Sequence, residues 1–139
     1  MNLRAFLLAI AMAPVILAPV AGPALAHHAF ASEYDIDKPV TLKGKLTKLE
    51  WINPHSWVYV DVADPKTGKL TNWSIEFGAV NALLRRGLRK TDFAVGQQVL
   101  VKGYLAKNGK PIANATSVSL EDGRNFLTGS SAGGPGQGG

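Results

Sequence analysis

The sequence predicts an all-β domain with one short helix, arranged as a five-stranded, partly open barrel. Three observations predict it. Apolar and polar residues alternate with a period of two in five separate stretches. Strong turn signals sit between two pairs of these stretches. A single helical stretch, residues 79–86, falls between the third and fourth.

The first strand opens at Val40, where Leu42, Gly44 and Leu46 alternate with Thr41, Lys43 and Lys45. The apolar phase then moves to Leu49 and Trp51, which predicts a bulge near Thr47-Lys48 and a strongly bent strand. Asn53-Pro54-His55 interrupts the pattern. The second strand, Trp57 to Val62, turns Val58, Val60 and Val62 inward and leaves Trp57, Tyr59 and Asp61 on the other face. Asp64-Pro65-Lys66-Thr67-Gly68 is a hairpin turn. The third strand, Leu70 to Phe77, puts Trp73, Ile75 and Phe77 inside and Asn72, Ser74 and Glu76 outside. The helix over 79–86 is closed by Gly87, with Val80, Leu83 and Leu84 as its expected buried stripe. Strands over 98–105 and 112–120 follow, joined at Asn108-Gly109, a strong hairpin dipeptide. Three strands, a helix and two strands, the first long and glycine-bearing, is the order of the OB-fold. A small open sandwich of the same strands is the alternative.

Residues 1–26 have the pattern of a secretory signal peptide. Arg4 provides the positive start, Ala5 to Leu17 is apolar, and Ala24-Leu25-Ala26 is a small-x-small cleavage site. Pro14 and Pro19 interrupt the leader as a membrane helix. The chain after it has no apolar run near the ~20 residues that a span needs. The expected location is the periplasm, with a retained leader acting as an anchor the competing possibility. No membrane span is expected in the mature chain. Residues 27–39 read as an N-terminal arm, 40–127 as the OB-like domain, and the Gly-rich stretch 128–139 as a disordered tail. There is no cysteine, which excludes disulfides, thiolate metal sites and lipid attachment through a cysteine. The formal net charge of +5 is dispersed, and in an exported protein it points to a charged surface rather than to nucleic acid.

All three histidines, His27, His28 and His55, fall at the arm and the first inter-strand loop. Cleavage after Ala26 makes His27 the mature terminus. Its free α-amine, with an ordinary pKa near ~8, can then join an imidazole as a nitrogen ligand. Nitrogen ligands in a plane favour Cu(II). The arrangement resembles the histidine brace of several secreted copper proteins, a chemical analogy covering the mature terminus and one distant histidine. Zinc, held by three imidazoles and a water, is the alternative metal. Glu33, Asp35 and Glu76 are possible oxygen ligands. A solvated His-His pair and a His55 that merely supports its turn are the competing readings.

A second candidate surface is the outer face of the second and third strands, with Trp57 and Tyr59 beside Asn72, Ser74 and Glu76. It would suit a sugar, a ring compound or a partner protein. Against this, such aromatics commonly pair with each other or are covered, here by Phe30 or Tyr34 of the arm. The sequons at Asn72 and Asn114 lie inside strands and read as chance matches. The basic corner Arg85, Arg86, Arg89 and Lys90 reads as solvated. No nucleophile–base set, phosphate loop or paired catalytic carboxylates stand out, so no enzyme is expected.

Mature His27-His28-Ala29-Phe30, the segment Tyr34 to Val40, Trp51-Ile52-Asn53-Pro54-His55-Ser56 and Asn81-Ala82-Leu83-Leu84-Arg85-Arg86-Gly87 together resemble a family of small exported proteobacterial proteins of unknown function. The resemblance spans nearly the whole mature chain and implies a periplasmic all-β domain, with no activity attached. The residues themselves point to a periplasmic metal-binding protein, with copper first, in a binding or delivery role. The alternative is a metal-free module that holds a periplasmic partner protein or a small ligand on the aromatic face.

Overall fold

The computed structural model describes residues 30–129. Residues 30–33 are helical and lead into β1, Tyr34–Glu50. There follow β2 (Trp57–Ala63), β3 (Leu70–Glu76), the helix α1 (Val80–Arg85), a 3-10 turn at Lys90–Asp92, β4 (Gln98–Ala106), β5 (Ile112–Leu120) and β6 (Asn125–Leu127). The sheet runs β3-β2-β1-β4-β5-β6, and β3 also pairs with β5. That last pairing is parallel and short, joining Ser74, Ile75 and Glu76 to Ile112, Ala113 and Asn114. It closes β1, β2, β3, β5 and β4 into a ring. The fold is the all-β arrangement expected, with only short helices and an irregular ring of five strands rather than a regular barrel.

β6 is an element the sequence does not announce. It pairs Ser117, Val118 and Ser119 with Leu127, Phe126 and Asn125, covering the half of β5 that β3 leaves exposed. A bare strand edge invites wrong pairing, and a short covering strand removes it. The disordered tail expected from Thr128 therefore begins too early. Thr128 is fully buried, its N–H donates to Thr116 O (2.9 Å), and its carbonyl accepts from Gly78 N (2.7 Å). Arg86 Nη1 donates to Gly129 O at 2.7 Å, so one member of the basic corner ties this end down instead of standing in solvent. Residues 130–139 lie outside the described residues.

The arm also differs from expectation. β1 begins at Tyr34, where Tyr34 and Asp35 pair with Ala106 and Leu105 of β4. A register irregularity between Asp35 and Pro39 precedes the continuous pairing that runs from Pro39. The predicted bulge is present, with the β1–β2 register shifting between Leu46 and Lys48. It changes which β1 residues face the core, as the switch from Leu46 to Leu49 requires.

The core gathers Leu42, Leu46, Val58, Val60, Ile75, Phe77, Val99, Val101 and Val118 from the strands, with Leu83 and Leu88 from the helical connection. The expected α1 stripe is corrected here. Ala82 and Leu83 are buried, while Leu84 is 43% exposed. The helix is six residues long and ends in a Schellman motif. Gly87 (φ +85°) donates to Leu84 O, and Leu88 donates to Leu83 O at 3.0 Å. This turn returns Leu88 to the core beside Leu83, taking the place that a longer stripe would fill.

Candidate functional site

The site is built from the loop between β1 and β2. Both of its flanks are tied down. Asn53 Oδ1 accepts the Val80 N–H at the start of α1 (3.0 Å), and Ser56 Oγ donates to Ile52 O (3.2 Å). Ser56 is fully buried and exchanges backbone hydrogen bonds with Phe77 and Gly78. The Asn53-Pro54 peptide bond is cis. His55 projects from this fixed loop, and its Nδ1 meets Glu76 Oε1. The other carboxylate oxygen, Oε2, accepts the Tyr34 hydroxyl. One buried carboxylate thus links the start of β1, the β1–β2 loop and the end of β3.

This corrects the sequence reading of Glu76 as an outward residue. The alternation puts it on the outer face, but Tyr34 covers that face and leaves Glu76 4% exposed. The covering role foreseen for the arm therefore falls to Tyr34. Phe30 packs on Tyr34 (ring centroids 5.4 Å apart) and edge-on to Tyr104 (6.1 Å). Lys107, in the β4–β5 turn, holds the same segment through Nζ to Ala31 O (2.6 Å) and N–H to Glu33 O (2.9 Å). The His55 side chain is 43% exposed against 6% for Glu76, so the imidazole bridges a buried anion and solvent.

Burial pushes the Tyr34 hydroxyl far above the ordinary tyrosine range; its hydrogen bond to Glu76 and the charges of Glu76 and Glu33 add to this. An unfolded tyrosine ionises near 10, whereas the folded one stays protonated. The associated stability is intact below that pH and is lost above it, at up to about 1.4 kcal/mol per pH unit. Stability measured by urea denaturation is therefore expected to fall as pH rises beyond 10. Tyr34→Phe should be less stable at neutral pH, where it strands Glu76 Oε2, yet should show a flatter alkaline decline. An equally steep decline in the variant would contradict this.

The remaining candidates divide. Trp57 pairs opposite Glu76 and, with Tyr34, lines a cavity of about 480 Å³ that also touches Ser32, Glu33, Lys107 and Ile112. Tyr59 belongs to a different cluster. Its hydroxyl donates to Glu50 Oε2 (3.1 Å), and the Lys48 ammonium lies 5.0 Å from its ring centre. Hydrogen bonds from Lys48 and Tyr59 hold the Glu50 carboxyl below its usual range. Asn72 donates to Thr47 Oγ1 (3.0 Å) and Asp61 Oδ1 (2.8 Å). Tyr59 and Asn72 are thus engaged with neighbouring side chains, and Glu76 is covered, which leaves Trp57 as the residue of this set that lines the cavity.

His27 and His28 lie outside the described residues. Among the described residues, no group of three or more His, Asp or Glu side chains is arranged to hold a metal ion. Asp35 is engaged with Lys38 (3.3 Å) and the Asp37 N–H. Tyr34 is the member of the site that sequence reasoning missed as a hydrogen-bonding partner. No helix of the described residues is long and apolar enough to cross a membrane.

Comparison with curated proteins and with solved structures gives no match. A family of unknown function, DUF6152, matches residues 13–115. The matched stretch includes His27, His28, Tyr34, His55 and Glu76, and by it the chain belongs to the DUF6152 family.

Proposed function

We propose that this is an exported periplasmic protein that binds a metal ion, copper in the first place and zinc as the alternative, in a binding or delivery role rather than as an enzyme. Its ligands are His55 and the histidines of the processed terminus, His27 and His28. The observation that carries the proposal is the contact of His55 Nδ1 with the buried Glu76 carboxylate. Metal-ligating histidines characteristically donate their second ring N–H to a carboxylate, which fixes the ring and raises its basicity. A buried carboxylate is costly unless its oxygens are satisfied. Here Tyr34 satisfies one and His55 the other, while the imidazole still reaches solvent. Tyr34 also brings the arm to His55. Phe30 packs on Tyr34, and the three residues back to His27 can reach about 10 Å. The N-terminal amine makes the donor set nitrogen-rich, which favours Cu(II) over zinc.

His55→Ala is expected to weaken Cu(II) binding at least tenfold, measured by competition with a chelator of known affinity. Tyr59→Phe should leave it unchanged, because Tyr59 belongs to the Lys48–Glu50 cluster. Trp57→Ala is a poorer control, since Trp57 sits opposite Glu76. Binding should weaken as pH falls, because each nitrogen must shed its proton before it can ligate. Equal affinity in His55→Ala and wild type would defeat the proposal.

The cavity beside Tyr34 and Trp57 favours the second reading, a metal-free module for a small ligand or a protein partner. Its volume of about 480 Å³ falls within the range of small-molecule sites. Absence of copper and zinc binding by the correctly processed protein would move the assignment to it.

A further inference from the structure

We propose that Glu76 is a positioning residue that holds His55 as the Nδ1–H tautomer, leaving Nε2 as the atom that faces an incoming metal ion, with Tyr34 holding Glu76 in place. The identification of Nε2 as a metal donor rests on the metal-binding function proposed above; the tautomer does not.

The inference follows from donor and acceptor arithmetic. An ionised carboxylate only accepts hydrogen bonds, and a neutral imidazole has one donor nitrogen and one acceptor nitrogen. Tyr34 supplies its hydroxyl proton to Oε2. Oε1 then faces His55 Nδ1, and two acceptors in contact would repel. The ring proton therefore sits on Nδ1, and the free lone pair is on Nε2. Burial keeps the Tyr34 phenol protonated, so it remains a donor throughout the range in which histidine titrates. Free neutral imidazole has no such constraint, and the assignment is a property of this packing.

Tyr34 acts one step further back. Its side chain comes from the first residue of β1, which pairs with Ala106 of β4. Glu76 is anchored at the end of β3, in register with Trp57 and Asn114. The orientation of the carboxylate is thus set by Tyr34 on β1, His55 on the β1–β2 loop and its own anchorage on β3, segments far apart in sequence. A metal ion that met Nδ1 instead would have to displace Glu76, stranding a buried carboxylate and the Tyr34 hydroxyl.

The test uses metal-free protein expressed as the full chain, so that export and processing take their natural course. Long-range nitrogen–carbon NMR of the histidine rings, recorded at about pH 8, where an ordinary imidazole is neutral, reads the tautomer directly. The expected result is Nδ1–H at His55. In Glu76→Gln the amide can satisfy Tyr34 with its oxygen and donate through its nitrogen to His55 Nδ1, so the ring should change to the Nε2–H form. Added Zn(II), used alone as a diamagnetic probe, should shift Nε2 and leave Nδ1 protonated in the wild type, and its affinity should fall about tenfold or more in Glu76→Gln. An Nε2–H ring in the wild type, or zinc on Nδ1, would overturn the proposal. The tautomer is read without metal and without any variant, so a misfolded variant does not remove the test. An Nδ1–H ring in a protein that binds no zinc or copper would sustain the positioning role and defeat the metal-binding function.

Discussion

Gly103→Ala is expected to cost about 3 kcal/mol or more of folding stability, the upper end of what forced overpacking produces. A Cβ at Gly103 would lie 2.1 Å from Asn114 O and 3.0 Å from Ala115 Cα. Both obstacles are backbone atoms of the neighbouring strand β5, so no side chain can swing aside. Gly44 is in the same position on β1, where a Cβ would lie 2.1 Å from Asp61 O of β2. These two glycines allow adjacent strands to approach closely, and either alanine must push a strand pair apart. Gly68 is the useful contrast. It has positive φ (+70°) but open space around its would-be Cβ, so Gly68→Ala should cost only the conformational penalty, about 1 kcal/mol. Urea denaturation of the three variants checks this. A loss for Gly103→Ala no larger than that for Gly68→Ala would show that the strand contact is far looser than described.

Much of this architecture was legible because it is local. Alternation in residues 57–62 and 70–77 reports burial on one face, and Asn108-Gly109 reports a tight turn that the fold contains with Gly109 at φ +72°. The shift from Leu46 to Leu49 announced the β1 bulge for the same reason. What escaped depends on partners distant in sequence. β6 is three residues long and exists because β3 covers only part of β5. Thr128 is buried through Thr116 and Gly78, neither of which lies near it in the chain. Leu84 looked inward by period, but the short helix and its Gly87 turn gave the inner place to Leu88.

The candidate site was half legible, for a related reason. Histidines gathered at one loop and at an expected cleavage site are visible in the sequence, as is the possibility that arm aromatics cover the second and third strands. Alternation puts Glu76 on the outer face, a rule that is correct for an uncovered sheet. The rule fails at Glu76 because Tyr34, forty-two positions away, lies over it and donates to its carboxylate. No local signal announces it, because inward Ile75 and Phe77, both fully buried, are what turn Glu76 to the outer face. Tyr59, on the same strand as Trp57, instead hydrogen-bonds to Glu50 beneath the Lys48 ammonium.

The largest functional effect is expected from a change that touches no side chain. Acetylating the α-amine of a processed form prepared to begin at His27 leaves all three imidazoles and the folded domain as they are, and removes the amine as a nitrogen ligand. If amine and ring of His27 chelate the metal opposite His55, the second contact is intramolecular, and such linkage is worth on the order of 100-fold or more in affinity. Cu(II) titration of the processed and acetylated proteins, read by chelator competition and electron spin resonance, measures this directly. One copper per chain bound by the processed protein, with affinity reduced about 100-fold and a changed spectrum on acetylation, is the predicted result. Identical affinity and spectrum in the two proteins, or no specific copper binding by the processed one, would contradict a site built from His55 and the N-terminal histidine.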